Sequence, residues 1–359
     1  MVCLISTVSC VDLFRTQFND VEDAVAYRAS VIHPAPRMPD TLKVMVWNLR
    51  YGAARIPLFY EGWGDRCNMT KSEVEFNLSG IEKKIREVDP DVMLLQELDI
   101  ESKRTAYVDQ LQHILDNTSL NYGVYASIWK GDLVPSDGLG RINMGNAIVS
   151  KWPLSGGTRI ALPKSSDQSA LEKYFWFARN ILKAQLTSSE GEPIHLLTIH
   201  TDAWTNDGTK KKQIDKFKEE LDALENKGEM FIAGGDFNEL QPGSPQLKDF
   251  NDLGPAHRFK EDDYSEEENW MSELYATYHP AIPLSDFQAN HRLSLYFSPD
   301  GFFNKIAHRF SRSRDRILRL TGKLPFRKQL DDFSPHGYRR WIREMSAAAY
   351  FMNHGVRCA

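Results

Sequence analysis

Cysteine is scarce: four in 359 residues, at Cys3, Cys10, Cys67 and Cys358, with no CxxC pair. That spacing points to neither a disulfide framework nor a zinc site, and the four read as structural thiols or accidents. Nor does any apolar run approach the ~18 residues that a transmembrane helix requires. Internal repeats and low-complexity segments are missing too. Positive charge is short over most of the chain, since residues 1–289 carry 30 Lys+Arg against 44 Asp+Glu. A net −14 over that body speaks against a broad phosphate-backbone footprint, which depends on Lys and Arg displacing counterions. Residues 290–359 reverse the balance, with 14 Lys+Arg against 5 Asp+Glu, a net +9.

What is present suffices for a large core. With 42% hydrophobic residues, the chain can fold as one big domain or two smaller ones. The start, "MVCLISTVSC", is apolar but has no basic leader. It reads as the stub of a longer export signal, or as a lipoprotein site at Cys10 lacking the usual leucine. Two localisations stay open, exported or lipid-anchored in the first case and cytoplasmic otherwise. Residues 31–41 hold Pro34, Pro36 and Pro39 and read as an extended linker. The expected organisation is a segment and linker at 1–41, a main domain at 42–289 and an Arg-rich tail at 290–359.

Within the main domain, short apolar runs alternate with helical periodicity. "LKVMVWNLR" (42–50) reads as a strand. Ile81, Ile85 and Val88 lie at helical spacing before a break at Pro90, and Val92–Leu95 is a buried strand. "MGNAIVSKWPL" (144–154), "PIHLLTIHTD" (193–202) and "MFIAGG" (230–235) read as further strands. Ile214, Phe217, Leu221 and Leu224 mark a helix closed by Gly228, with the lysines 210–212 on its solvated face. Alternating strands and helices predict an α/β body in which helices cover the sheets.

The chemistry gathers at strand ends: Asn48 after "VMVW", Glu97 after "MLLQ", His200 after "LLTI", Asp236 and Asn238 after "FIAGG". Alone, each is a turn former, a cap or a structural histidine. Together they suit chemistry at a phosphate. Glu97 and the Asn48 carbonyl offer the oxygen ligands that Mg2+ prefers. His200 and Asn238 can donate to developing charge, and Asp236 can orient a water. His195 lies on the opposite face of its strand from His200 and is read as structural.

Five stretches in this order, "VMVWNLR", "DVMLLQELD", "MGNAIVSKWPL", "LLTIHTD" and "AGGDFNE", resemble the endonuclease/exonuclease/phosphatase superfamily, the deoxyribonuclease I-like fold. The resemblance implies a four-layer α/β sandwich, two packed mixed sheets flanked by helices, and metal-dependent hydrolysis of a phosphoester by water. It implies Mg2+, with Mn2+ as the alternative. Glu97 corresponds to the metal-binding Glu, and Asn48 to an Asn near metal and phosphate. His200 corresponds to a His that stabilises the transition state, and Asp236 and Asn238 to the Gly-Asp-x-Asn pair. Asn146 matches a supporting Asn on the substrate side.

Two closing signatures of the superfamily are not legible. Ala307 and His308 stand where Asp-Tyr is expected, and Pro335-His336 where Asp-His is expected. His336 is read as a chance histidine in a basic tail. The tail itself reads as a shifted reading frame, in preference to a divergent end, so the last strands of the sandwich are expected to be missing or aberrant. A lost base, which ordinarily contributes roughly 10²–10⁴-fold, leaves a slow enzyme. The expectation is a metal-dependent phosphodiesterase or phosphatase, with a small phosphoester or phospholipid headgroup favoured over nucleic acid. The alternative is a non-catalytic protein of the same fold that holds an anionic partner. A monomer without an obligate protein partner is expected. Residues 52–70, with Phe59, Tyr60 and Trp63, and residues 130–142 are the expected substrate loops.

Overall fold

A computed structural model of the chain describes residues 16–54, 56, 58, 66–135, 138–166, 176–187, 192–203, 207–239, 241–243, 269–286, 348–352 and 357–358. The expected loop aromatics Phe59, Tyr60 and Trp63, and the tail residues Ala307, His308 and His336, lie outside these residues. Fourteen strands and four α-helices are found among them. In chain order they are β1 (Val21–Asp23), β2 (Val25–Arg28), β3 (Thr41–Leu42), β4 (Val44–Asn48), α1 (Lys71–Val88), β5 (Val92–Asp99), α2 (Gln110–Asp116), β6 (Tyr122–Pro135) and β7 (Leu139–Ser150). They continue with β8 (Leu154–Ala161), β9 (Asn180–Leu186), β10 (Ile194–His200), α3 (Thr209–Glu225), β11 (Met230–Asp236), α4 (Ser272–Thr277), β12 (His279–Pro280), β13 (Ala348–Met352) and β14 (Arg357–Cys358).

One sheet has the order β2-β6-β7-β5-β4 and the other β1-β8-β9-β10-β11-β13-β12, with a short β3–β14 pair besides. Both are mixed: β4 pairs with β5 and β10 with β11 in parallel, and their remaining neighbours are antiparallel. Strand alternation divides the apolar residues into three layers. Val92 and Leu94 of β5 meet Leu182, Leu196 and Ile232 of the other sheet. Met93 and Leu95 face the opposite way, among Val74, Leu78, Ile85, Leu111 and Ile114 of α1 and α2. Phe231 and Ala233 face Ile214, Phe217, Leu221 and Leu224 of α3. The result is the expected sandwich of two packed sheets flanked by helices.

Local sequence explains the helices. Thr70 accepts the Glu73 N–H while the Glu73 carboxylate accepts the Thr70 N–H, a capping box that starts α1 ten residues before Ile81. Asp89 ends it in the left-handed region at φ 47°. All four apolar residues assigned to α3 are buried.

Three features depart from expectation. Residues 21–28 are not a separate leader: β1 pairs with β8 and β2 with β6, giving each sheet an edge strand before residue 42. The linker beyond them is tied down as well, through His33 N–H to Asn121 Oδ1 at 2.8 Å and Trp152 Nε1–H to the Pro36 carbonyl at 2.8 Å. Residues 130–142 are mostly strand instead of loop, extending the β6–β7 hairpin, in which Lys130 pairs with Asn143 and Val134 with Gly140. Their Gly and Asp content masked the pairing. Finally, the Arg-rich tail supplies a strand, β13, beside β11, with Tyr350 opposite Gly234. Among the described residues, no helix is long and apolar enough to cross a membrane.

Candidate active site

The parallel pairs end side by side. In register, Asn48 lies opposite Gln96 and His200 opposite Asp236. Asn48 Nδ2–H donates to Asp236 Oδ2 at 2.8 Å, and Gln96 Nε2–H to Thr198 Oγ1 at 2.8 Å, so the two sheets are bridged at this end. Each strand is apolar along its inward face until its last turn, and the polar residues cap the inter-sheet layer. Carboxyl ends of adjacent parallel strands are a recurrent place for ligands, because the chain leaves the sheet there and opens a crevice.

Glu97 reaches this crevice through an irregularity. Strict alternation would aim it at the helices, together with Met93 and Leu95. Between Leu95 and Leu98 the register against β7 shifts, so that Gln96 and Glu97 face the single residue Asn146. Glu97 adopts φ 55°, a left-handed conformation that disfavours side chains other than glycine. Such a bulge rotates a side chain to a new direction. Asn238, at φ 49°, is held in the same region. Strained backbone persists only where its surroundings over-determine it, and it concentrates at functional sites.

The double glycine before Asp236 has a steric reason. A Cβ on Gly235 would lie 2.0 Å from the Ile199 carbonyl oxygen, so only glycine lets β11 approach β10 at that point. Beyond it the chain is stitched in place. Thr201 N–H donates to the Asp236 carbonyl at 2.9 Å, Asn238 Nδ2–H to the Thr201 carbonyl at 2.9 Å, and Asn238 N–H to Asp236 Oδ1 at 2.9 Å.

His200 Nε2 lies 3.8 Å from both Glu97 Oε1 and Asp236 Oδ2. All three side chains are buried or nearly so. Burial, reinforced by the Glu97 charge, pushes the Asp236 carboxyl up to about 7, against the hydrogen bonds from Asn48 and Asn238 and the charge of Arg179. Asn48 Oδ1 accepts the Arg50 N–H at 2.9 Å. Asn146 donates from Nδ2 to the Asn180 carbonyl at 3.3 Å, and its buried Oδ1 has no hydrogen-bond partner.

The crevice thus gathers Asn48, Glu97, Asn146, His200, Asp236 and Asn238. His195 stands apart on the helix-facing side, with Nε2 3.1 Å from Glu229 Oε2 and its pKa lowered by burial.

Against known proteins, the profile of the Endonuclease/Exonuclease/phosphatase family matches residues 45–319, more than half of the chain. The chain belongs to this family. No curated protein matches the chain. Among solved structures, an endonuclease/exonuclease/phosphatase from Beutenbergia cavernae DSM 12333 is 18% identical with a TM-score of 0.38, over 57% of this chain and 50% of that one. The human Nocturnin catalytic domain with bound sulfate is 18% identical at TM-score 0.39, over 61% and 69%. A mannosyl-6-phosphatase from Bacteroides thetaiotaomicron VPI-5482 is 16% identical at TM-score 0.37, over 56% and 67%. The chain therefore spans half the length of the Beutenbergia protein.

Two cationic groups of this family member escaped the sequence reading. Arg179, buried just before β9, donates from Nη1 to the His200 carbonyl at 3.1 Å, and its Nε lies 3.7 Å from Asp202 Oδ2. Burial lowers its pKa, opposed by Asp202, Glu97 and Asp236. Lys210, read as part of a solvated face, donates to the Asn238 carbonyl at 3.0 Å. No short motif marks either residue. Arg179 precedes an apolar strand instead of ending one, and Lys210 sits in a charge run of ordinary appearance.

Proposed function

We propose that this family member is a divalent-cation-dependent phosphoester hydrolase acting on a small phosphoester or phospholipid headgroup. The observation that carries the reading is the convergence of Glu97, His200 and Asp236 where the two sheets are bridged, with His200 Nε2 3.8 Å from both carboxylates and Asn48 Nδ2–H on Asp236. A buried carboxylate beside an imidazole and a second carboxylate is the arrangement that general acid–base chemistry uses.

The donor chemistry fits a hard cation. Among the described residues there is no group of three or more His, Cys, Asp or Glu placed to hold a metal. The oxygens of Glu97 and Asn48, with the unpartnered Asn146 Oδ1 nearby, match Mg2+ or Mn2+. Mg2+ keeps several waters and takes one or two carboxylates with the substrate phosphate. Glu97 and Asn48 would hold it. When bound, the cation polarises the phosphoryl group and neutralises its charge.

The chain's own residues do the rest. Asp236, fixed by Asn48 and the Asn238 N–H, orients the water and accepts its proton as the water oxygen bonds to phosphorus and the phosphorus–oxygen bond to the alcohol breaks, releasing that alcohol. The imidazole of His200 donates to oxygen charge on the phosphoryl or leaving group. Arg179 adds a fixed positive charge behind both carboxylates, where low dielectric magnifies its effect. Substrate size follows from the acidic body, which disfavours a long polyanion.

The test is product release from bis(p-nitrophenyl) phosphate and p-nitrophenyl phosphate, with Mg2+, Mn2+ or chelator. Turnover that requires the cation supports the proposal. Absence of turnover together with salt-sensitive anion binding supports instead a non-catalytic protein of the same fold.

A further inference from the structure

Three aromatic rings are joined to this site through Arg179 and Asp202, and the mechanism above does not use them. Trp129 lies on the part of β6 that pairs with Asn143 and Met144. Its ring meets Phe177 edge-on, centroids 5.4 Å apart at 69°. Phe177 meets Trp176 at 5.6 Å, tilted by 39°. The segment is fixed to the hairpin, since Ala178 N–H donates to the Ile128 carbonyl at 2.7 Å.

The rings connect directly to the charged groups. The Arg179 guanidinium carbon lies 5.4 Å from the Phe177 centroid, while its Nη1 holds the His200 carbonyl. The Trp176 Nε1–H donates to Asp202 Oδ2 at 3.4 Å, the same oxygen that lies 3.7 Å from Arg179 Nε. Phe177 and Arg179 therefore form one contact path from the reacting end to the aromatic group. All three rings are partly exposed. Phe177 packs on one side against the core, and the partly exposed Trp129 and Trp176 beside it keep apolar ring surface in reach of solvent, one buried arginine away from the polar site.

We propose that Trp129, Phe177 and Trp176 form a subsite for a planar ring carried by the substrate's alcohol. The chain then prefers phosphoesters of ring-bearing alcohols, aryl or nucleoside, over those of aliphatic alcohols of equal size. The inference rests on the phosphoester reading of Glu97, His200 and Asp236. Stacking supplies the preference, because a flat ring gains contact with an aromatic face that a puckered ring cannot match.

The experiment measures binding of non-hydrolysable phosphonates to the full chain, by calorimetry and tryptophan fluorescence. Phenylphosphonate and cyclohexylphosphonate present similar apolar bulk but differ in planarity, and inorganic phosphate reports the anion site alone. Phenylphosphonate is expected to bind roughly tenfold tighter than cyclohexylphosphonate. Trp129→Leu should bring the ratio to about one and Trp129→Phe should keep most of it, with inorganic phosphate unaffected by either. Adenosine 5′-monophosphate against ribose 5-phosphate, with chelator present, separates a nucleoside ring from a simple aryl one. Equal binding of the two phosphonates to wild type, or a ratio unchanged by Trp129→Leu, overturns the subsite. If Trp129→Leu does not fold, the wild-type ratio and the Trp129→Phe variant still decide. Inorganic phosphate binding without ring preference overturns the subsite and leaves the phosphoester reading standing. Ring preference without Mg2+-dependent turnover does the reverse.

Discussion

Raising the pH of the metal-free protein should weaken its fold through one residue. Asp236 is fully buried, and its pKa is raised from 3.8 to about 7. Between those values the folded chain keeps a proton that the unfolded chain has released. The stabilisation is fully present below about 3.8 and is lost as the pH rises through about 7. At 1.36 kcal/mol per pH unit, the window corresponds to about 4 kcal/mol, a large part of the ~5–15 kcal/mol that holds an ordinary domain. Other groups titrate in the same range. His195, lowered by burial, contributes with the opposite sign, and Asp109, raised by burial, with the same sign. Comparison with Asp236→Asn removes them, since both proteins carry them. The variant faces its own cost, because its carboxamide N–H2 meets the Asn48 Nδ2–H that now donates to Asp236. That clash costs about 1–3 kcal/mol but does not depend on pH. Urea unfolding in chelator at several pH values between 4 and 8 is the assay. Wild-type stability should fall relative to the variant by about 4 kcal/mol across the window. A pH-independent difference would refute a buried Asp236 that stays protonated above its ordinary range.

Gly235→Ala should cost more than about 4 kcal/mol or prevent folding, because its Cβ would overlap the Ile199 carbonyl; thermal melting decides, and a melt like wild type contradicts the close approach. Thr70→Ala removes the capping box of α1 and should cost about 1 kcal/mol in urea unfolding. Phe217→Ala empties a fully buried position against Phe237, whose centroid is 5.4 Å away, and should cost about 3–5 kcal/mol. Arg179→Gln withdraws a charge that holds the Asp236 pKa down, so the acid limb of the kcat/KM profile should move to higher pH; an unmoved limb assigns Arg179 to structure alone.

The strands that carry the site were legible because each is a short apolar run ended by a polar group. β4, β5, β10 and β11 all share that pattern, and α3 shows a clean helical period. The strands that were missed lack it. β1 and β2 are three and four residues long and largely exposed, so no burial pattern marks them. The β6–β7 hairpin mixes glycine and charge into paired positions, and β13 is an apolar patch inside an Arg-rich stretch. The geometry of Glu97 was not legible either. Its orientation depends on a shift in pairing with Asn146, some fifty residues away, which no local pattern records. Arg179 acts through the His200 carbonyl, a contact that exists only once β9 and β10 pair.

The most direct test of the site is the rate of phosphate-ester cleavage by wild type, Glu97→Ala and His200→Ala, each with Mg2+ and with chelator. The account predicts cation-dependent turnover by wild type and a loss of about 10²-fold or more in each variant, with all three folded by circular dichroism. Equal rates in the three proteins, or a wild-type rate indifferent to chelator, would contradict it.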